Sequence, residues 1–139
     1  TRVRSSAASD VYKRQVYISL GVNELGYYDD QGYHDKFCAL IDEVRRTQPD
    51  AVIYLQNVVP VNPELCAKNW PSYVNNEKVN TYNEILDQVA EEKEVVLLDL
   101  HSALGTSDGI LAKENTSDGV HFNKAWYQEW LRYLMKHAV

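Results

Sequence analysis

Residues 16–24, VYISLGVNE, form an apolar segment that runs directly into a glycine, an amide and a carboxylate. The segment VYISL (16–20) is short, β-branched and aromatic, which is typical of a buried strand. An ordinary loop does not require glycine, asparagine and glutamate in that order. A site that must hold one side-chain amide at a fixed point does require it, so we expect a functional group directly after this strand.

The rest of the chain alternates strand and helix patterns. Apolar segments at 51–59 and 95–100 predict two further strands, apolar along their whole length. Helical spacing predicts one helix to about Thr47, a second ending near Lys93, and a last one that Asn123 can cap. The expected inner faces are Tyr33, Phe37, Leu40, Ile41 and Val44, then Val79, Tyr82, Ile85, Leu86 and Val89, then Trp126, Trp130, Leu131 and Leu134. Strands without alternation are typical of a parallel sheet covered on both faces, so we expect a three-layer α/β/α fold.

The first fifteen residues, TRVRSSAASDVYKRQ, differ from the rest of the chain. They carry a charge of +3 and no apolar periodicity, whereas residues 16–139 carry −9. They are similar to translated adapter or vector sequence at the ends of reading frames from environmental sequencing. A basic nucleic-acid-binding arm is the alternative. We expect residues 1–15 to be non-native and residues 16–139 to form the folded part.

The acidic body argues against nucleic acid and anionic membrane surfaces as partners. No apolar run reaches about 18 residues, so no membrane span is expected. Cys38 and Cys66 form neither a CxxC pair nor a Cys/His cluster in the sequence, so we expect neither a metal nor a cofactor. The chain begins at Thr1 with its only methionine at Met135, so the sequence predicts no compartment.

Ligands of an open parallel sheet bind beyond the carboxyl ends of its strands. Three segments of this chain are expected there: residues 21–24, the loop beyond Pro60, and the region after Leu100, which includes TSDGVHFN (116–123).

The last of these segments places Asp118 three residues before His121, with Gly119 between them. Glycine permits a tight turn, and the carboxylate can then reach the imidazole ring. Such a pair orients a histidine and stabilises its charged form, as general-base catalysis requires. A surface turn leading into a capped helix is the alternative interpretation.

Other polar and aromatic residues are weaker candidates. His101 and Ser102 also follow a strand, but LHSAL is not a G-x-S-x-G nucleophile elbow. His34 and His137 are expected to be solvated helix residues. Trp70, in a polar loop, either packs locally or lines a substrate cleft.

Together, GVNE (21–24) after a strand, a β-α-β-α-β course, and SDGVHF (117–122) before a final amphipathic helix resemble the SGNH hydrolases, also called GDSL-type lipases and esterases. The resemblance covers residues 16–139 and implies a flavodoxin-like arrangement of the sheet. It implies that Asn23 donates its side-chain amide to the oxyanion hole. Gly21 would let the backbone turn off the strand, and Glu24, where the family usually has aspartate, would support it.

By the same resemblance, His121 is the catalytic base and Asp118 its orienting partner. The family's G-D-S block, which carries the nucleophilic serine, has no counterpart here, and neither does the block that supplies a glycine N–H. The serines that precede Gly21 are Ser5, Ser6 and Ser9, in the excluded segment, and Ser19, which we expect inside the first strand. We therefore expect an N-terminally truncated SGNH hydrolase domain that is inactive as this chain.

Two functions remain from this reasoning. The first is a fragment of a serine esterase or acylhydrolase whose intact parent hydrolyses a small-molecule ester through an acyl-enzyme, with a carbohydrate ester or a lipid ester as substrate. The second is a non-catalytic ligand-binding module of flavodoxin-like α/β fold. Asn23, Asp118 and His121 favour the first.

Overall fold

The computed structural model describes residues 14–19, 24–26 and 29–137. Within these residues it contains three strands, five α-helices and the 3-10 turn at residues 113–115. In chain order they are β1 (Gln15–Ile18), α1 (Asp30–Thr47), β2 (Val52–Gln56), α2 (Pro63–Asn69), α3 (Asn76–Lys93), β3 (Val96–Leu98), α4 (Leu100–Leu104), the 3-10 turn (Lys113–Asn115) and α5 (Lys124–His137).

The strands form one parallel sheet in the order β1-β2-β3. Tyr17 of β1 is in register with Tyr54 of β2, and their rings stack with centroids 5.1 Å apart. Leu55 of β2 is in register with Leu97 of β3. Within the described residues, β2 is the central strand, so its two faces decide how the layers pack.

The central strand buries both faces, because successive side chains of a strand point to opposite sides. Ile53 and Leu55 belong to the main apolar core. Gln56 faces the other way and accepts a hydrogen bond from the Trp130 indole N–H of α5 at 3.1 Å. The predicted parallel sheet with helices on both faces is confirmed.

Helices α1 and α3 pack against each other and cover one face. The ring of Tyr33 stacks on that of Tyr82 at 3.6 Å and meets Phe37 edge-on at 4.9 Å. The fully buried side chains of this layer are Tyr33, Phe37, Ile41, Val79, Tyr82, Leu86 and Val89. The periodicity of the two helices predicted this inner face.

Capping residues place the helix starts earlier than the apolar periodicity did. The Asp29 carboxylate accepts from the Gly32 N–H at 2.7 Å, so α1 begins at Asp30, before Tyr33, the first residue of the predicted inner face. The Asn62 side chain accepts from the Leu65 N–H at 3.0 Å and starts α2. The loop beyond Pro60 was expected to be irregular, so this short helix corrects that expectation.

The strand ends also differ from the prediction, because side-chain amides of α3 bind the backbone that follows β2. The Asn83 amide accepts from the Val58 N–H at 2.7 Å and donates to the Val58 carbonyl at 2.8 Å. Asn76 bonds the N–H and carbonyl of Val61 at 2.8 and 2.9 Å in the same way. The chain therefore leaves the sheet after Gln56, rather than at residue 59.

The last helix is capped as predicted, with the Asn123 side chain accepting from the Trp126 N–H at 3.0 Å. Its expected inner face needs one correction, because Leu131 is 53% exposed. Leu131 lies one helical turn from Tyr127 and Met135, which are also exposed, so these three form a separate apolar stripe. No helix in the described part of the chain is both long and apolar enough to cross a bilayer.

Candidate active site

Asp118 and His121 are in direct contact in the turn that precedes α5. The distance from His121 Nδ1 to Asp118 Oδ2 is 2.6 Å. The other carboxylate oxygen, Oδ1, accepts from the backbone N–H groups of Val120 and His121 at 2.9 and 2.8 Å. The carboxylate is therefore held on both oxygens, and the Nε2 side of the imidazole remains for a reacting group.

The environment keeps Asp118 ionised. Partial burial acts to raise its pKa, but the His121 ring and the N–H groups of Val120 and His121 outweigh that effect and lower the pKa to about 2. The side chain of His121 is 59% exposed, whereas that of Asp118 is 32% exposed. The carboxylate of Asp118 is thus less exposed than the imidazole of His121. In a histidine–aspartate pair, the aspartate orients the ring and the accessible histidine acts as the base.

Gly119 makes this turn possible. Its φ of +99° is a conformation that side-chain-bearing residues rarely adopt, and a Cβ built there would lie 2.8 Å from the backbone nitrogen of Cys66. The Gly119 N–H donates to the Thr116 hydroxyl at 3.0 Å. Its carbonyl accepts from the Asn62 N–H at 2.9 Å, which ties the turn to the start of α2.

Trp70 lies directly beside the pair. Its indole N–H donates to the Asp118 carbonyl at 3.0 Å, and its ring centroid is 5.7 Å from that of His121. Trp70 also lines a surface cavity of about 470 Å³ together with residues of α2 and the segment that follows it. The sequence analysis left two alternatives for Trp70, local packing or the wall of a substrate cleft. Trp70 packs beside the pair and lines a cavity, and its contact with a substrate stays a prediction.

The oxyanion-hole candidates lie mostly outside the described residues. Gly21 and Asn23 both do, so their predicted roles stay predictions. Glu24 is described: its carboxylate Oε2 is 2.9 Å from the Lys36 ammonium, and its carbonyl accepts from the Tyr82 hydroxyl at 3.1 Å. These two contacts attach the segment after Asn23 to α1 and α3.

His101 and Ser102 belong to a different cluster around Asp99. The Asp99 carboxylate accepts from the Ser102 N–H at 3.1 Å and from the Asn57 side-chain amide at 2.8 Å, and Asn57 in turn accepts from the His101 N–H. Burial lowers the pKa of His101, against the nearby Asp99 charge, which raises it. These contacts cap α4 and attach the start of this helix to Asn57, the residue that follows β2.

Ser19 lies just beyond β1, not inside the strand as the sequence analysis expected, because the strand ends at Ile18. It is exposed and lines a small cavity of about 150 Å³ with Gln56, Phe122 and Tyr127, among others. Within the described residues, no serine hydroxyl is hydrogen-bonded to His121. In the described part of the chain, the structure therefore shows the contact between Asp118 and His121, and the catalytic roles of these two residues stay predictions.

The chain has clear relatives. The GDSL-like Lipase/Acylhydrolase family matches residues 2–129. A solved Streptococcus pneumonia protein, named for platelet activating factor, superposes with a TM-score of 0.81 at 26% identity, over 89% of this chain and 59% of its own. An acylhydrolase from Bacteroides fragilis gives a TM-score of 0.72 at 17% identity, over 97% of this chain and 65% of its own.

A third solved structure, a peptidoglycan O-acetylesterase, gives a TM-score of 0.70 at 18% identity, over 88% of this chain and 36% of its own. The chain thus spans roughly one third to two thirds of the length of these three proteins. A comparison with curated proteins found no match. At these identities, the second and third structures bear on the fold alone.

Proposed function

Because this chain belongs to the GDSL-like lipase/acylhydrolase family, we propose that it carries the histidine–aspartate half of a serine esterase site. The single observation that supports this most is the contact of 2.6 Å between His121 Nδ1 and Asp118 Oδ2. The contact leaves Nε2 as the ring nitrogen that can accept a proton.

In the proposed mechanism, His121 Nε2 removes the proton from a serine hydroxyl as its oxygen attacks the ester carbonyl. The negative charge that develops on the carbonyl oxygen is stabilised by the side-chain amide of Asn23. The imidazolium then protonates the departing alcohol, which leaves an acyl-serine. Water, deprotonated by the same imidazole, attacks that acyl group. The bond from the acyl carbon to the serine oxygen then breaks, the imidazolium returns its proton to that oxygen, and the carboxylic acid leaves. Asp118 holds the Nδ1–H tautomer and stabilises the imidazolium throughout.

We infer that the nucleophile belongs to a longer parent protein. The family's serine block has no counterpart upstream of Gly21, and Ser19 is not hydrogen-bonded to His121. The exposed apolar stripe of α5 begins at Tyr127, which shares a cavity with Ser19 at the end of β1. Further strands beside β1 would cover that stripe and bring a serine to this end of the sheet.

The proposed substrate is a small-molecule ester, either a carbohydrate ester or a lipid ester. The exposed His121 ring and the adjacent Trp70 ring leave the site open on one side, which suits an ester group on a larger molecule. One solved neighbour is a peptidoglycan O-acetylesterase, which is consistent with the carbohydrate choice. No cofactor is part of this proposal.

The test compares two proteins with p-nitrophenyl acetate as the substrate. The isolated chain should give no saturable turnover, because it has a base but no serine beside it. An intact parent that carries a G-D-S block upstream of Val16 should turn the ester over, and His121→Ala should remove that activity. Saturable hydrolysis by the purified chain alone would refute the proposal that the histidine and aspartate lie in this chain and the nucleophilic serine lies in a longer parent.

The non-catalytic ligand-binding module is the second candidate. It is favoured by the absence of a serine hydrogen-bonded to His121 among the described residues. It predicts that an intact parent containing the upstream segment is inactive towards esters and is unaffected in ligand binding by His121→Ala.

A further inference from the structure

Three metal-ligating side chains converge where α1 packs against α3. The distance from His34 Nε2 to Glu92 Oε2 is 2.8 Å, and Cys38 Sγ lies 3.7 Å from the same nitrogen and 3.9 Å from the same oxygen. Among the described residues, this is the one group of at least three such side chains whose ligand atoms all lie within 4.8 Å of one another.

These separations are close to those of a tetrahedral zinc site. Zinc bonds of about 2.0 Å to nitrogen or oxygen and 2.3 Å to sulfur place neighbouring ligand atoms about 3.3–3.6 Å apart. The two contacts of the sulfur need to shorten by a few tenths of an ångström, and the His34–Glu92 contact needs to lengthen by about half an ångström. Side-chain rotations alone supply such changes.

We propose that His34, Cys38 and Glu92 bind a divalent transition-metal ion, with Zn²⁺ as the preferred ion, and that the ion links α1 to α3. This proposal is independent of the esterase site.

The backbone positions of the ligands suit this role. His34 and Cys38 are four residues apart on α1, so they lie one turn apart on the same face of the helix. Glu92 is in the last turn of α3. The two helices are held together next to the cluster by the Lys93–Asp42 ion pair at 2.9 Å. Ligands on packed helices are positioned more rigidly than ligands on loops.

The second ring nitrogen of His34 also has the partner that a metal-bound histidine usually has. Its Nδ1 is 3.1 Å from the Asp35 carboxylate. A carboxylate on one nitrogen fixes the tautomer and orients the other nitrogen toward a metal, and it raises the basicity of the ligand.

The surrounding charge favours a cation, because the carboxylates of Asp35, Asp42 and Glu92 face the Cys38 sulfur against the single ammonium of Lys93. Burial, and then these carboxylates, raise the pKa of the Cys38 thiol, so the metal ion itself has to displace the proton. On binding, the Cys38 thiol loses its proton to water and coordinates as a thiolate. Three protein ligands then leave one coordination position for a water molecule.

An ordinary surface ion pair is the simpler explanation of the contact between His34 and Glu92. It does not explain why the Cys38 sulfur lies beside both of these groups. The thiolate is also what decides the class of metal, because Mg²⁺ and Ca²⁺ prefer oxygen ligands, whereas a mixed nitrogen, sulfur and oxygen set suits Zn²⁺ and Co²⁺.

The test uses Co²⁺ as a spectroscopic probe of the whole chain. We expect one equivalent of Co²⁺ to produce a thiolate-to-cobalt charge-transfer absorption in the near ultraviolet, together with the visible bands of a tetrahedral ion. One equivalent of Zn²⁺ should abolish both, and Mg²⁺ should change neither.

Variants then assign the ligands. Cys38→Ser should eliminate the charge-transfer absorption, and His34→Ala and Glu92→Gln should each weaken Zn²⁺ binding at least tenfold. Asp35→Asn should weaken it about tenfold through the orientation of His34. The matched controls are Cys66→Ala, which removes the other cysteine, and His137→Ala, which removes an exposed histidine on α5; both should leave Zn²⁺ binding unchanged.

Circular dichroism shows whether each variant keeps its helices, and Glu92→Gln provides a ligand change at an exposed residue if Cys38→Ser fails to fold. Absence of stoichiometric Co²⁺ binding overturns the proposal. Binding whose absorption persists in Cys38→Ser, or is lost only in Cys66→Ala, overturns it equally.

Discussion

The indole N–H of Trp70 donates to the backbone carbonyl of Asp118 at 3.0 Å, across 48 residues of chain. Trp70 is the C-terminal cap of α2, and Asp118 lies in the turn that holds His121. This bond fixes the turn from outside, whereas the Asp118–His121 contact fixes it from within.

Trp70→Phe removes that hydrogen bond and keeps an aromatic ring beside His121. We expect a loss of about 1 kcal/mol in the free energy of unfolding, measured by urea denaturation of the chain, and a lower kcat in the intact parent. Trp126→Phe is the matched control, because Trp126 also donates its indole N–H to a carbonyl, that of Leu104, at 3.0 Å. It should cost similar stability but leave kcat unchanged. Equal kcat values for both variants would show that Trp70 has no role at the site.

His121→Ala in the intact parent should reduce kcat to near background with little effect on folding, because the serine proton then has no acceptor. Asp118→Asn should cost less, at most about 10⁴-fold, because the imidazole remains while its orientation and charge stabilisation are lost. Single-turnover kinetics with p-nitrophenyl acetate measure both. If His101→Ala were the damaging change and His121→Ala were silent, the assignment of the base would be wrong.

Asn23→Ala should lower kcat of the intact parent by about 10²–10³-fold with a small change in KM, because one donor to the oxyanion is lost. Glu24→Gln provides the control for the same segment. Its carboxylate pairs with Lys36 rather than with a reacting group, so kcat should change much less. A larger loss for Glu24→Gln than for Asn23→Ala would reverse the two roles.

Asp118 should make the stability of the chain pH-dependent in acid. Its pKa is lowered from 3.8 to about 2 in the folded protein. A lowered pKa contributes stability that is fully present above the unfolded value and is lost as the pH falls through the folded value. The stability difference between the wild-type chain and Asp118→Asn should therefore be constant near neutral pH and shrink between about pH 4 and pH 2. A difference that stays constant over this range would contradict the assignment.

Gly119→Ala should destabilise the chain more than Gly109→Ala. Both glycines have positive φ, +99° and +75°, so each substitution carries strain of about 1–2 kcal/mol. Only at Gly119 does the new Cβ also meet backbone, at 2.8 Å from the Cys66 nitrogen; at Gly109 the nearest atom is 3.9 Å away. Thermal unfolding of the two variants separates the strain they share from the close contact that is specific to Gly119.

The sequence predicted the parallel sheet and its helices because buried strands and amphipathic helices leave local patterns of apolar residues. It also predicted the contact between Asp118 and His121, because these residues are three positions apart and interact within one turn. It missed α2, which has seven residues and only one buried side chain, Cys66, so it shows no periodicity. The asparagine–proline pair at its start was the available signal.

The cluster of His34, Cys38 and Glu92 was missed for a different reason. Glu92 is 54 residues from Cys38 in the chain, and only the packing of α1 against α3 brings them together. His34 was expected to be solvated, but its side chain is 22% exposed. The end of β2 was also unpredictable, because it depends on which helical amides reach the backbone after Gln56.

The amides of Asn83 and Asn76, which bind the backbone after β2, also affect how fast that backbone exchanges its hydrogens with solvent. Val58 and Val61 are hydrogen-bonded to helix side chains instead of a neighbouring strand, and Asn62, one residue later, donates its N–H to Gly119. In hydrogen–deuterium exchange, the backbone amides of Val58 and Val61 should therefore exchange at the rate at which α3 detaches, and not at the rate of sheet opening. We expect the turn that carries His121 to belong to the same cooperative unit as α3, although Asp118 lies 25 positions beyond Lys93, the last residue of α3.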